Sequence, residues 1–93
     1  MSPRFDARVY ITIKREVADP QGQAVVEAVN HWLESQSAAG SLAKARVGKV
    51  VELSVVAPDA AAAEALLTKV ADRVLANPNT EEYEIRVDGA ARG

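Results

Sequence analysis

The sequence predicts an α+β domain in the order β-α-β-β-α-β: a ferredoxin-like, four-stranded antiparallel sheet with both helices on one face. Three observations lead there. The N-terminal run alternates apolar and polar residues with a period of two. Two later stretches carry apolar residues at helical spacing, and proline-containing turns punctuate the chain around both. With 93 residues, the chain makes one domain with its core at about 5–88 and a frayed tail at 89–93.

Phe5, Ala7, Val9, Ile11 and Ile13 alternate with Asp6, Arg8, Tyr10, Thr12 and Lys14, which marks a strand with one buried face. Asp19-Pro20-Gln21-Gly22 then turns the chain into a helix. Proline fixes φ, glycine frees it, and the aspartate can accept a backbone hydrogen bond. Gln21 has no part in that turn, so a buried or partner-facing role is expected for it. From Gln23 to about Gln36 the period lengthens. Ala24, Val25, Ala28, Val29, Trp32 and Leu33 share one side, which is expected to pack on the core, and Gln23, Glu27, Asn30, His31 and Glu34 share the other.

Leu42–Val47 and Val50–Val56 read as two short strands joined at Gly48-Lys49, where a glycine suits the positive φ of a tight hairpin. The two inner strands of the sheet are then the first and the third. Asp59 is a good N-cap for the second helix, whose stripe is Ala63, Leu66, Leu67, Val70 and Val74. Asn77-Pro78 stops it, because proline excludes its predecessor from the α region. Tyr83, Ile85 and Val87 alternate as the last strand.

Composition excludes several classes of function. Eleven basic and thirteen acidic residues leave a formal net charge of −2, with no cationic cluster of the kind that binds nucleic acid. There is no cysteine, hence no disulfide, thiolate metal site or cysteine nucleophile. No run approaches the ~20 apolar residues of a membrane span, and the N-terminus leads straight into a strand, so a cytoplasmic protein is expected. A domain this small buries only about two-thirds of its unfolded surface, which makes association a natural source of stability. Tyr10, Val50 and Val56 lie on the sheet face that no helix covers, and predict a homodimer or tetramer.

The fold alone names no function, and the residues remove the usual options. An RNA-binding version needs aromatic stacking positions on the central strands, but Tyr10 stands there with Glu52 and Ser54. A phosphatase-like version needs a glycine-rich loop after the first strand and an asparagine on the third, and neither is complete. His31, the only histidine, has Glu27 and Glu34 beside it and reads as a solvated side chain. Glu81, Glu82 and Glu84 around Tyr83 read as a charged strand edge that discourages unwanted pairing. No residue stands out as catalytic, cofactor-binding or metal-ligating. Arg46 and Lys49, flanking a rigid turn, are a handle for an acidic surface on a partner.

Taken in order, Asp19-Pro20-Gln21-Gly22, then Arg46, Gly48 and Lys49, then Leu75-Ala76-Asn77-Pro78 with Tyr83 after acidic residues resemble the PurS-type small subunit of phosphoribosylformylglycinamidine synthase. The resemblance runs from about Arg8 to Val87. Gln36 to Ala43 departs from it, being longer and richer in serine and alanine than the family's turn. The resemblance implies a non-catalytic assembly subunit in purine biosynthesis. Its partners are a PurQ-type glutaminase, which releases ammonia from glutamine, and a PurL-type synthetase. The synthetase uses ATP and Mg²⁺ to convert phosphoribosylformylglycinamide to the amidine. The alternative is a small ligand-binding allosteric module of the same fold, with its site near the Pro20-Gly22 turn.

Overall fold

The computed structural model describes residues 3–90. Its elements are β1 (Arg4–Ile13), α1 (Pro20–Ser35), β2 (Gly48–Val56), α2 (Ala60–Val70) and β3 (Glu81–Ala90), with a wide π-helical turn over Ala71–Leu75. The described strands form one three-stranded antiparallel sheet in the order β2-β1-β3. The α+β class is as expected, but the expected fourth strand is absent among the described residues. Only β1 is an inner strand, and β2 lies at an edge.

The reason is local. Leu42–Val47 is held against α1 instead of against the outer edge of β2. The Leu42 N–H donates to Asn30 Oδ1 at 2.6 Å, and Asn30 Nδ2 donates to the Leu42 carbonyl at 2.9 Å. Farther along, the Val47 N–H donates to Asp19 Oδ2 at 2.9 Å. The run Ala43-Lys44-Ala45-Arg46 is itself poor in β-branched residues, so little opposes these ties. The chain then enters β2 without a hairpin: Gly48 pairs with Thr12 and Lys49 with Ile11.

Gly48 therefore has no left-handed backbone. It is required for space, since a Cβ there would meet the Ile11 carbonyl and lie 2.8 Å from Thr12 Cγ2. The one non-glycine residue in the left-handed region, among those described, is Ser37 (φ 53°), just past the end of α1. The end of the last strand differs too. Gly89 and Ala90, expected in a frayed tail, pair with Asp6 and Phe5 in β3. The rest of that tail, 91–93, lies outside the described residues.

The core lies between the sheet and α2. Phe5, Ala7, Val9 and Ile11 on β1 meet Ala63, Leu67 and Ala71, flanked by Val55, Leu53, Ile85 and Val87. Val9, Ile11 and Leu67 are almost wholly enclosed, and burying each contributes roughly 1.5–3 kcal/mol. The expected stripe of α2 is only partly right. The π turn, marked by the Ala76 N–H bonding to the Ala71 carbonyl at 2.9 Å, inserts an extra residue. Ala71 and Ala76 consequently face the sheet, while Val74 turns out to 74% exposure.

The larger difference is α1. No residue of it joins either core cluster, and only Gly22 in it is buried. Trp32 is 60% exposed, and Val25 is exposed as well. With the returning segment 42–47, α1 forms an arm standing off the sheet. The Cα radius of gyration is accordingly 17.9 Å, where a compact chain of this length has about 12 Å. The extents, 58 × 31 × 14 Å, are those of a long, thin molecule.

Candidate interaction site

The motif residues, scattered along the sequence, converge at one end of the sheet. Asp19 caps α1 by accepting from the Gly22 N–H through Oδ1 at 2.9 Å, with Pro20 at the first helical position, where a missing N–H costs nothing. Its other oxygen takes the Val47 N–H. These bonds, Val47's first and Gly22's second, hold the Asp19 carboxyl below its ordinary value, and Arg46 adds to the effect. Gly22 sits so close to the return segment that a Cβ would meet the Ala45 carbonyl. The expected turn is thus the first turn of the helix itself, clamped across to 45–47.

Arg46 completes the clamp from the other side. Its Nη2 lies 3.1 Å from Glu82 Oε1 and 3.4 Å from Thr12 Oγ1, with a quarter of the side chain exposed. It ties 45–47 to β1 and β3 and is not a free handle. Lys49 is exposed on the α2-side face of β2. It lines a hollow of about 160 Å³ with Gln21, Ile11, Ile13, Val47, Gly48 and Glu81. Gln21 is exposed, so the buried role considered for it is not adopted.

Beneath lies the loop that enters β3. Asn77 forms a turn by accepting from Asn79 N at 3.0 Å through its side chain and from Thr80 N at 3.1 Å through its carbonyl. Glu81 Oε1 accepts from the Asn77 N–H at 2.7 Å, and the Lys14 N–H bonds to the Thr80 carbonyl at 2.9 Å. Pro78 is exposed in this loop, and Tyr83 is half-buried opposite Ile11. The acids at the start of β3 are thereby engaged one by one: Glu81 with Asn77, Glu82 with Arg46, and Glu84 with Arg86 at 3.1 Å. His31 is exposed on α1. Among the described residues no group of three or more histidines and acids is placed to hold a metal ion.

The outer sheet face carries the self-association candidates. Val50 and Val56 are exposed, whereas Tyr10 is half-buried beneath Arg86, whose Cζ lies 5.7 Å from the ring centroid. Charged pairs cover much of the same face, including Arg8–Asp88 at 4.0 Å, and Tyr10 and Asp88 raise the pKa of Arg8. The uncovered apolar side of α1 was missed by sequence reasoning. Its helical periodicity was visible, but periodicity does not say whose core a stripe enters. No helix among the described residues is long and apolar enough to cross a membrane.

Comparison with known proteins identifies the family. The family model for PurS, phosphoribosylformylglycinamidine (FGAM) synthase, matches residues 6–89. The phosphoribosylformylglycinamidine synthase subunit PurS of Synechocystis sp. is 35% identical over 83 residues, covering 89% of this chain and 78% of that protein. The crystal structure of the PurS subunit from Thermotoga maritima superposes with a TM-score of 0.77 at 30% identity, covering 94% of each chain. A chain in the structure of PurLQS from the same organism superposes with a TM-score of 0.76 at 30% identity, covering 91% of this chain and 98% of that one. With the family model spanning nearly the whole chain and a relative 35% identical over 89% of it, the protein belongs to the PurS family of FGAM synthase subunits.

Proposed function

We propose that this chain is a non-catalytic assembly subunit of an FGAM synthase, joining a PurQ-type glutaminase to a PurL-type synthetase in the cytoplasm. The neighbour in PurLQS from Thermotoga maritima supports the choice of partners. One feature of the chain itself carries the reading. A sixteen-residue amphipathic helix leaves Ala24, Val25, Ala28 and Trp32 of its apolar side exposed, with only Val29 and Leu33 half-buried. Leaving such a face in water forfeits stabilisation that a covering chain recovers. The same logic applies to β2, whose outer edge is unpaired among the described strands. The ferredoxin-like sheet is one strand short there, and a strand from another copy or subunit completes it. A homodimer or tetramer with α1 covered is the expected state, with the outer face around Tyr10, Val50 and Val56 as a second surface.

In that setting ATP, Mg²⁺ and the catalytic residues belong to the partners, and this chain contributes position and water exclusion. Ammonia released into bulk water is protonated and diluted. A closed path between glutaminase and synthetase keeps its effective concentration high at the acceptor. Size-exclusion chromatography with the cognate subunits tests the reading. The chain is expected to co-elute with both, and alone to turn over neither glutamine nor ATP. Failure to co-elute under turnover conditions, or turnover by the chain alone, refutes it.

A further inference from the structure

Between the β1–α1 loop, one side of α1 and the returning segment lies a cleft of about 510 Å³. Val17 and Val26 give it apolar walls, and the small side chains of Ala18, Ala43 and Ala45 give it room. Its rim carries Arg15, Lys44 and Arg46. The same three residues, with Ala45, bound an adjoining hollow of about 440 Å³ that no acidic side chain lines.

Arg15, Lys44 and Arg46 share the lining with two acids, Asp19 and Glu27. Asp19 has both oxygens occupied by the N–H groups of Gly22 and Val47, and Arg46 is answered by Glu82. Glu27, on the α1 wall, is the other acid of the cleft. Arg15 and Lys44 have no ion-pair partner among the described residues. Exposed cations usually serve solubility. Here they stand on the rim of a concave, partly apolar groove beside the clamped junction.

We infer that this cleft seats an acidic segment of a partner subunit, with Asp or Glu side chains on Arg15 and Lys44 and small apolar residues on Val17 and Val26. The inference rests on the assembly reading above. Two features favour a polypeptide over a small anion. The groove runs between a helix and the irregular segment 43–46, and its unpaired cations are exposed at the rim, whereas small-ligand sites hold their polar groups inside an enclosing pocket. Charge complementarity of this kind steers encounter and makes association salt-dependent.

The test is the double variant Arg15→Glu/Lys44→Glu in the full chain, measured for binding to the cognate synthetase and glutaminase subunits at low and high salt. Both side chains are exposed, so the melting temperature and homo-oligomer of the variant are expected to match the parent's. Partner affinity is expected to fall about tenfold or more, with a flatter salt dependence than the parent's. The milder Arg15→Gln/Lys44→Gln pair is expected to lie between. Unchanged affinity and salt dependence in a folded variant overturn the inference while leaving the assembly reading intact. Loss of the homo-oligomer assigns the cleft to a second copy and also overturns it. So does saturable binding of inorganic phosphate to the parent, absent in the variant, with assembly unaffected. A parent that binds neither subunit defeats the assembly reading first, and the cleft assignment falls with it.

Discussion

The Val47 N–H donates to Oδ2 of Asp19 at 2.9 Å, across 28 residues of chain, while the other oxygen of the same carboxylate caps α1. One side chain therefore fixes both the entry to the helical arm and the point where the chain returns to the sheet. Folding favours the ionised form of Asp19, because its carboxyl is held below the ordinary value. That contribution is complete above the unfolded-state pKa of about 3.9, and is lost as the pH falls through the lower folded-state value. Asp19→Ala is expected to melt at a lower temperature than the parent at pH 7, with the gap narrowing as the pH falls below the ordinary carboxylate value. A gap that stays constant with pH would mean that the carboxylate's charge has no part in the clamp.

Gly22 tests the same clamp by volume. In an ordinary helix, Gly→Ala is favourable by about 1 kcal/mol. At Gly22 the added Cβ meets the Ala45 carbonyl, and forcing the two segments apart is expected to cost about 1–3 kcal/mol, which wins. Gly40, with nothing within 4 Å of a Cβ, is the control, and Gly40→Ala is expected to be neutral or mildly stabilising. Denaturant unfolding of the two variants decides it. A Gly22→Ala protein more stable than the parent would place segment 43–46 elsewhere.

Trp32 is the sole tryptophan and stands on the uncovered side of α1, so its fluorescence reports directly on whether that side becomes buried. Emission is expected to shift to the blue as the chain associates and to the red on dilution. Burying Trp32 or Val25 in an interface contributes roughly 1.5–3 kcal/mol each, so Val25→Asp is expected to weaken self-association about tenfold or more. Unchanged emission across the association range would move the interface to the outer face around Tyr10, Val50 and Val56.

The parts of the fold that local chemistry decides were legible in the sequence. β1 follows from a strict period of two, and the caps of both helices follow from Asp19 and Asp59, whose side chains accept from Gly22 and Ala62. What was not legible depended on side chains meeting over a distance. Asn30 captures Leu42 and Asp19 captures Val47, which removes a strand that propensity and a glycine had suggested. One extra residue in the π turn after Val70 exchanges Val74 for Ala71 on the core side. The candidate site divides in the same way. The motif positions were identifiable as residues, but their convergence was not, nor was the conversion of Arg46 from a free handle into an internal tie. Arg15 and Lys44 lie in no motif, and only the folding of 43–46 back onto α1 brings them to one rim.

In the proposed role, this chain joins two enzymes and does no chemistry itself. The most direct measurement is amidine formation by the cognate glutaminase and synthetase subunits, with and without the chain, using either glutamine or concentrated ammonium as the nitrogen source. Glutamine-dependent turnover is expected to require the chain, ammonia-dependent turnover to persist in part without it, and the chain alone to be inactive. Equal glutamine-dependent rates with and without the chain would refute the assembly role.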